Sequence, residues 1–392
     1  MKILIYITIL DCFTITSCKI TNTKYNNGMD VFTLTGLLFI NFSKLASQKN
    51  ALFQGRYSHT ATSLPNGKVL IAGGYNGTIY LAHAEIYDPS TELVTVIKTL
   101  NKSRSFHTAT LLTNGLVLLA GGYNGNNYLS TAELYDPIND SFSLAGNMKE
   151  SRASHTATIL NSGKVLITGG YNGSNVLSSA EIYDPNTNTF TSTGGMKSSR
   201  QKHTASLLSS GKVLIVAGID DSISRLQSAE LYDVNSETFT LTNSTLNESG
   251  GRSNHTATFL LTGKILIIGG INNNGSILNT AELYDESLDT FTYTATSLNS
   301  TRYLHTATLM LNNKVLVAGG ISSSNSILSS IEFYDSSSNK FISSSKDMTI
   351  SRNLHRATLL SNRKILVSAG ETDGNIVTSN IALYNYSSDE WE

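Results

Sequence analysis

One pattern occupies most of this chain seven times over. It opens with Arg56-x-x-His59-Thr-Ala-Thr, continues as an apolar run ending in Gly73-Gly74, and closes with Ala84-Glu85-Ile86-Tyr87-Asp88. The arginine returns at Arg104, Arg152, Arg200, Arg252, Arg302 and Arg352. A histidine follows three residues later each time, at His59, His107, His155, His203, His255, His305 and His355. Seven of the eight histidines therefore stand in one register, which rules out chance. The period is 48 residues at first and 50 to 52 later. Self-similarity at this length means stacked or radial units that cannot bury their faces singly.

The first copy divides at its turn signals. Tyr57 to Leu64 is rich in Thr and small apolar residues, and Pro65-Asn66-Gly67 follows; Asn-Gly favours a two-residue hairpin turn. Lys68 to Ala72 is an apolar run suited to a strand buried on both faces. Gly73-Gly74 ends it and Tyr75-Asn76-Gly77 opens a loop. Leu81 to Asp88 reads as a third strand, closed by Pro89. A fourth is anchored at Val94, matched later by Phe142, Phe190, Phe239, Phe291, Phe341 and Trp391. No helical period appears, so each copy predicts four short antiparallel strands. Seven such sheets around an axis bury one another's faces. A size gradient favours that arrangement: the first strand is small on both faces, where blades converge, and the fourth carries the bulky aromatic, where they diverge.

The Gly-Gly doublet ending strand two, the Tyr several residues on, and the aromatic six residues after an Asp-containing turn resemble the Kelch repeat. The resemblance runs from Arg56 to Trp391. It implies an all-β, seven-bladed β-propeller of four-stranded antiparallel blades, placed at residues 51–392. First strands are expected near Tyr57, Ser105, Ala153, Gln201, Ser253, Tyr303 and Asn353. There are departures. Ala217-Gly218 and Ala369-Gly370 replace the doublet in copies four and seven, and Ala382 and Asn385 replace the Glu and Asp of the other copies. Only Trp391 keeps the family's usual Trp in strand four.

The N-terminus reads differently. Lys2 precedes Ile3 to Leu10, an apolar stretch too short to span a bilayer but suited to a signal peptide over residues 1–18. Ile15-Thr16-Ser17-Cys18 resembles a relaxed bacterial lipobox, with Cys18 as the lipidated residue. Both cysteines, Cys12 and Cys18, lie here, so the propeller is expected to have no disulfide or thiol chemistry. Residues 19–50 read as a tether, polar from Lys19 to Asp30, with an apolar segment from Val31 to Phe42. Blade seven has only Trp391 and Glu392 for its fourth strand. Part of residues 37–48 is therefore expected to pair with Ile381 to Asn385 and close the ring.

The recurring polar residues read as parts of the blade. Seven imidazoles around a ring cannot converge on one ion, and no two are spaced like a zinc pair, so no metal is expected. Antiparallel order brings the arginine, the glycines and the glutamate to one end of each blade. Glu85, Glu133, Glu181, Glu230, Glu282 and Glu332 are expected to meet the arginines across the space left by the glycines, as buried bidentate pairs. No catalytic set stands out. The copper oxidases that share the Kelch fold use a Cys cross-linked to Tyr, and no cofactor is expected.

The loop surface remains. Kelch-like propellers generally bind partners on the face carrying the loops between strands two and three. That face places Tyr75-Asn76, Tyr123-Asn124 and Tyr171-Asn172 in blades one to three, where tyrosines beside amides suit a sugar or peptide. The same residues also make ordinary turns. A net charge of −1 gives no reason to expect nucleic acid or an anionic membrane surface. The chain thus reads as a monomeric scaffold for a protein or glycan ligand, held to a bacterial cell envelope only by its lipid. The rival is an enzyme of the Kelch-type sialic-acid mutarotase class, which would need an unpaired Glu or Arg in the central cavity. Glu371, after Ala369-Gly370, is the candidate.

Overall fold

The computed structural model describes residues 19–24, 30–35 and 47–392. The proposed signal peptide and Cys18 lie outside the described residues. Lys19–Lys24 and Asp30–Thr35 pair antiparallel, with Lys19 opposite Thr35 and Lys24 opposite Asp30. Within the segment expected to be a tether these two stretches are therefore paired strands, consistent with their Ile, Thr, Val and Phe content.

Residues 48–392 form one compact unit of seven four-stranded antiparallel blades. Blade one runs from the axis outward as Thr60–Ser63, Val69–Ala72, Ala84–Asp88 and Leu93–Val96. The second strand of every blade is its core: Val69–Ala72 and its counterparts Val117–Ala120, Val165–Thr168, Val213–Val216 and Ile265–Ile268 are buried at every position. Each apolar cluster joins two blades; Leu70, Ala72 and Ile86 of blade one pack with Val117, Leu119 and Tyr135 of blade two. The Tyr of strand three stacks on the strand-four aromatic, as in Tyr183–Phe190 at 4.8 Å. These clusters supply the apolar burial that a lone blade lacks.

The inner strands begin at Thr60, Thr108, Thr156, Thr204, Thr256, Thr306 and Arg356. Tyr57, Ser105, Ala153, Gln201, Ser253, Tyr303 and Asn353 are single bridges just before them. Between bridge and strand each chain makes a kink: Ser58, Phe106, Ser154, Lys202, Asn254, Leu304 and Leu354 all have φ between 52° and 56°. This left-handed backbone costs a non-glycine residue roughly 1–2 kcal/mol. Around the axis it aims one blade's amide at the previous blade's carbonyl. Phe106 N–H donates to Ser58 O (3.1 Å), Ser154 to Phe106 (3.0 Å), and the series continues to Leu354 N–H on Leu304 O (3.2 Å).

Closure differs from the expectation in one respect. Residues 37–46 lie outside the described residues, and Ser47–Lys49 runs beside Leu93–Val96 of blade one rather than beside Ile381–Asn385. Blade seven uses its own Glu390–Trp391 as outer strand, with Tyr384 opposite Trp391. The N-terminal side still fastens the ring, a few residues later. Leu52 N–H donates to Ser379 O (2.7 Å) and Ile381 N–H to Asn50 O (3.1 Å). Leu52 is buried with Val69, Ile71, Leu366 and Leu383. Asn50–Leu52 stands to blade seven as Ile97 and Leu100 stand to blade one, so among the described residues the inter-blade linker makes the closure.

Candidate binding surface

The recurring charges meet as one buried cluster in each of blades one to six. Arg104 Nη2 donates to Glu133 Oε1 at 2.7 Å, and the pairs Arg152–Glu181, Arg200–Glu230, Arg252–Glu282 and Arg302–Glu332 repeat it at 2.6–2.8 Å. Arg56 and Glu85 are joined the same way. The pairs lie within a blade and are monodentate rather than bidentate. The reason is that the second carboxylate oxygen is engaged elsewhere: Glu133 Oε2 accepts the Asn101 N–H at 2.7 Å, and Glu85 Oε2 that of Phe53 at 2.8 Å. The other end of the guanidinium is fixed by backbone, Arg104 Nη1 donating to Gly121 O and Thr131 O. Every arginine and glutamate of the set is buried. The carboxylates and the terminal guanidinium nitrogens are thus engaged, while the Nε of Arg104, Arg152, Arg200, Arg252 and Arg302 is buried without a partner.

The histidines form a second ring. His107 Nε2 bonds Thr60 Oγ1 of the preceding blade at 3.0 Å, and His155, His203, His255, His305 and His355 repeat the contact with Thr108, Thr156, Thr204, Thr256 and Thr306. At the seam Arg356 replaces the threonine, its Nε donating to His59 O at 2.7 Å, and His59 Nε2 bonds Ser368 Oγ. Burial first, then neighbouring arginines, hold these imidazoles below their usual pKa, at about 3 for His155 and His255. The glycine doublet serves this ring. A Cβ on Gly73 would stand 2.7 Å from His107 Cε1, and one on Gly74 would stand 2.9 Å from His59 Cβ. Among the described residues no group of three His, Cys, Asp or Glu side chains is placed to hold a metal.

The loop face is where the blades differ. Six tyrosines form a continuous ladder across blades one to three. Tyr57 meets Tyr75 at 5.5 Å, Tyr75 meets Tyr80 at 4.7 Å, Tyr80 meets Tyr123 at 5.2 Å, Tyr123 meets Tyr128 at 4.8 Å, and Tyr128 meets Tyr171 at 5.2 Å. The sequence reading found Tyr75, Tyr123 and Tyr171 and missed Tyr57, Tyr80 and Tyr128. The missed signal was a second Tyr five residues after Tyr75 and Tyr123 in the same loops. The two sets differ chemically. Tyr75, Tyr123 and Tyr171 donate their hydroxyls to Gly77 O, Gly125 O and Gly173 O, which ties them to their own turns. Asn76 Oδ1 likewise accepts the amides of Thr78 and Ile79, and Asn124 and Asn172 do the same in their loops. Tyr80 and Tyr128 bridge between blades and are half-buried. Gly125 and Gly173 are small because these rings lie on them, 2.8 Å from where a Cβ would be.

The ladder ends beside Glu371, which pairs with Val377 in a short hairpin and faces Asn353. Burial and Glu371 both raise the Tyr57 pKa. In blades five and six aliphatic bridges replace the aromatics: Ile271–Ile277 and Ile321–Ile327. At the centre of this face the kinked residues surround a cavity of about 250 Å³, lined by Phe106, Lys202, Leu304, Leu354 and Arg356 among others. Glu371 does not line it.

Two overlapping segments, residues 22–218 and 202–392, match the family model described as the KLHDC2/KLHL20/DRC7 Kelch-repeats domain. No curated protein sequence gives a significant match. Among solved structures, a fungal alcohol oxidase of the AA5 family in complex with copper superposes with a TM-score of 0.70 at 17% identity, over 86% of this chain and 75% of that one. YjhT superposes with a TM-score of 0.59 at 15% identity, over 76% of this chain and 99% of that one. At these identities the likeness is one of fold. With the family model spanning all seven repeats and the blades assembled as described, the chain belongs to the Kelch-repeat proteins.

Proposed function

We propose that this Kelch propeller is a binding scaffold whose loop face takes a glycan chain along the tyrosine ladder. The observation that carries the reading is the ladder itself. Six rings cross three blades without a break, and the hydroxyls of Tyr57, Tyr80 and Tyr128 have no protein partner among the described residues. Sugars stack their apolar faces on aromatic rings and bond through their hydroxyls, and a row of half-buried tyrosines meets both needs. Asn76, Asn124 and Asn172 keep their Nδ2 groups free of the bonds that hold the turns. The test is a glycan array with the full chain, repeated with Tyr80→Ala and Tyr128→Ala. Binding lost in both variants at unchanged melting temperature supports the reading. No glycan bound, with peptides captured instead, assigns the face to a protein ligand.

In the same proposal Cys18 is lipidated and holds the protein at a bacterial cell envelope. A palmitate analogue should label the wild type and not Cys18→Ala; equal label in both excludes the anchor. A second reading, a carbohydrate isomerase of the sialic-acid mutarotase class, draws on Arg356. This cation stands in the central cavity where six blades have Thr. A mutarotation assay on wild type and Arg356→Thr decides it.

A further inference from the structure

Blade seven lacks a group that the other six possess. In blades two to six the glutamate carboxylate fills the space between the arginine and two amides of the preceding linker. Glu181 accepts from Arg152 Nη2 at 2.8 Å, from Lys149 N–H at 2.7 Å and from Glu150 N–H at 3.2 Å. Blade seven has Ala382 at this position, while the surroundings keep their geometry. Arg352 is fully buried, and its Nη1 donates to Ala369 O and Asn380 O at 3.1 Å each, as Arg152 Nη1 does to Gly169 O and Ser179 O. The linker is pinned on both sides as in blade three. Met348 N–H donates to Ser329 O (3.0 Å) and Arg352 N–H to Leu328 O (3.1 Å), matching Met148 on Ser130 and Arg152 on Leu129.

Two amides and one guanidinium hydrogen are left over. Thr349 and Ile350 stand three and two residues before Arg352, as Lys149 and Glu150 stand before Arg152. Neither amide has an acceptor among the described residues. Arg352 Nη2 donates one hydrogen to Asn380 Oδ1 at 2.7 Å, where blade three has Ser179 Oγ at 3.2 Å. Its other hydrogen, which blades one to six direct at glutamate, meets no carboxylate among the described residues. Burial, with no nearby anion to offset it, lowers the Arg352 pKa to about 10. A buried cation without a counter-charge is costly.

We propose that the space beside Ala382 is a binding site for a small monocarboxylate of the size of acetate. Glutamate exceeds alanine by one methylene and one carboxylate, so acetate supplies nearly the missing atoms. Its two oxygens match donors already spaced for the two oxygens of glutamate. Access runs past Thr349, which is exposed, and Ile350, which is half-buried.

The test is a thermal melt of the full chain in sodium acetate against sodium chloride at equal ionic strength. A saturable rise of roughly 2–4 °C in acetate over chloride is expected. Ala382→Glu should melt higher in chloride and lose the acetate increment, because its own carboxylate fills the site. Glu181→Ala opens the same hole in blade three and should gain an increment. Saturable broadening of the acetate ¹³C resonance by the unmodified chain is the measurement that needs no variant. An absent increment with no saturable broadening overturns the proposal, as does an increment that survives unchanged in Ala382→Glu.

Discussion

Glu133 holds Asn101, the residue that carries the chain from blade one into blade two. Its Oε2 accepts both the Asn101 backbone N–H at 2.7 Å and the Asn101 Nδ2 at 2.9 Å, while Oε1 takes Arg104. The ion pair is thus also a clamp on the inter-blade linker.

Glu133→Ala should therefore cost more than an ordinary surface acid. It leaves Arg104 buried without its counter-charge and frees the linker amides, for about 3–5 kcal/mol. Glu390→Ala, at an exposed position, is the matched control. Urea melts that place the two variants together would show that Glu133 contributes no more than a solvated charge.

The histidine ring predicts acid lability with a definite window. The folded pKa values are depressed, so above pH 6.5 the imidazoles are neutral in both states and the ring costs nothing. As pH falls below 6.5 the unfolded chain takes up protons that the buried rings refuse, and stability falls until about pH 3, where His155 and His255 titrate in place. Each histidine contributes at most about 1.4 kcal/mol per pH unit inside the window. Urea midpoints from pH 7.5 to pH 5 should drop steeply, and His155→Gln should flatten the slope by about one proton. A flat profile would mean that the rings titrate freely.

Leu52→Ala should destabilise the whole propeller although it precedes the first repeat. The side chain is 1% exposed, between blades one and seven, and such truncations cost about 2–5 kcal/mol. Proteolysis should open the ring at this seam first. A melting temperature equal to wild type would place closure elsewhere.

Gly125→Ala should disturb the ladder locally. Gly125 has φ +100°, and a methyl there meets the Tyr80 ring. Near-ultraviolet circular dichroism should change, because the Tyr80–Tyr123 contact is broken. The far-ultraviolet spectrum should stay as it is.

The repeat made the blades legible, because every strand is bounded by turn chemistry that recurs at fixed offsets: Asn66-Gly67 before Val69–Ala72, Gly73-Gly74 after it, Asp88 before Leu93–Val96. Residues 58, 106 and their counterparts were not legible as kinks. Ser, Phe, Lys, Asn and Leu share no propensity for left-handed backbone; the inter-blade hydrogen bonds impose it. The ladder was half legible, because Tyr75 and Tyr123 sit in a repeated motif. Tyr80 and Tyr128 join them only through packing between blades. For the closing segment, apolar content drew attention to residues 37–42, which lie outside the described residues. The analogy of Leu52 with Leu100, each four residues before its arginine, was available in the sequence and is the better guide.

The Thr-to-His contacts all join one blade to the next in chain order, so blades one to six each present a threonine side to the following blade's histidine side. Such a unit can be copied in tandem by duplication of its coding segment, since any new copy already fits its neighbours. Only the join between the last and first copies has to be invented afresh. Arg356, Ala382 and Asn385 stand where all six other blades have Thr, Glu and Asp, and all three fall in blade seven, where a lineage of copied modules had to meet its own beginning.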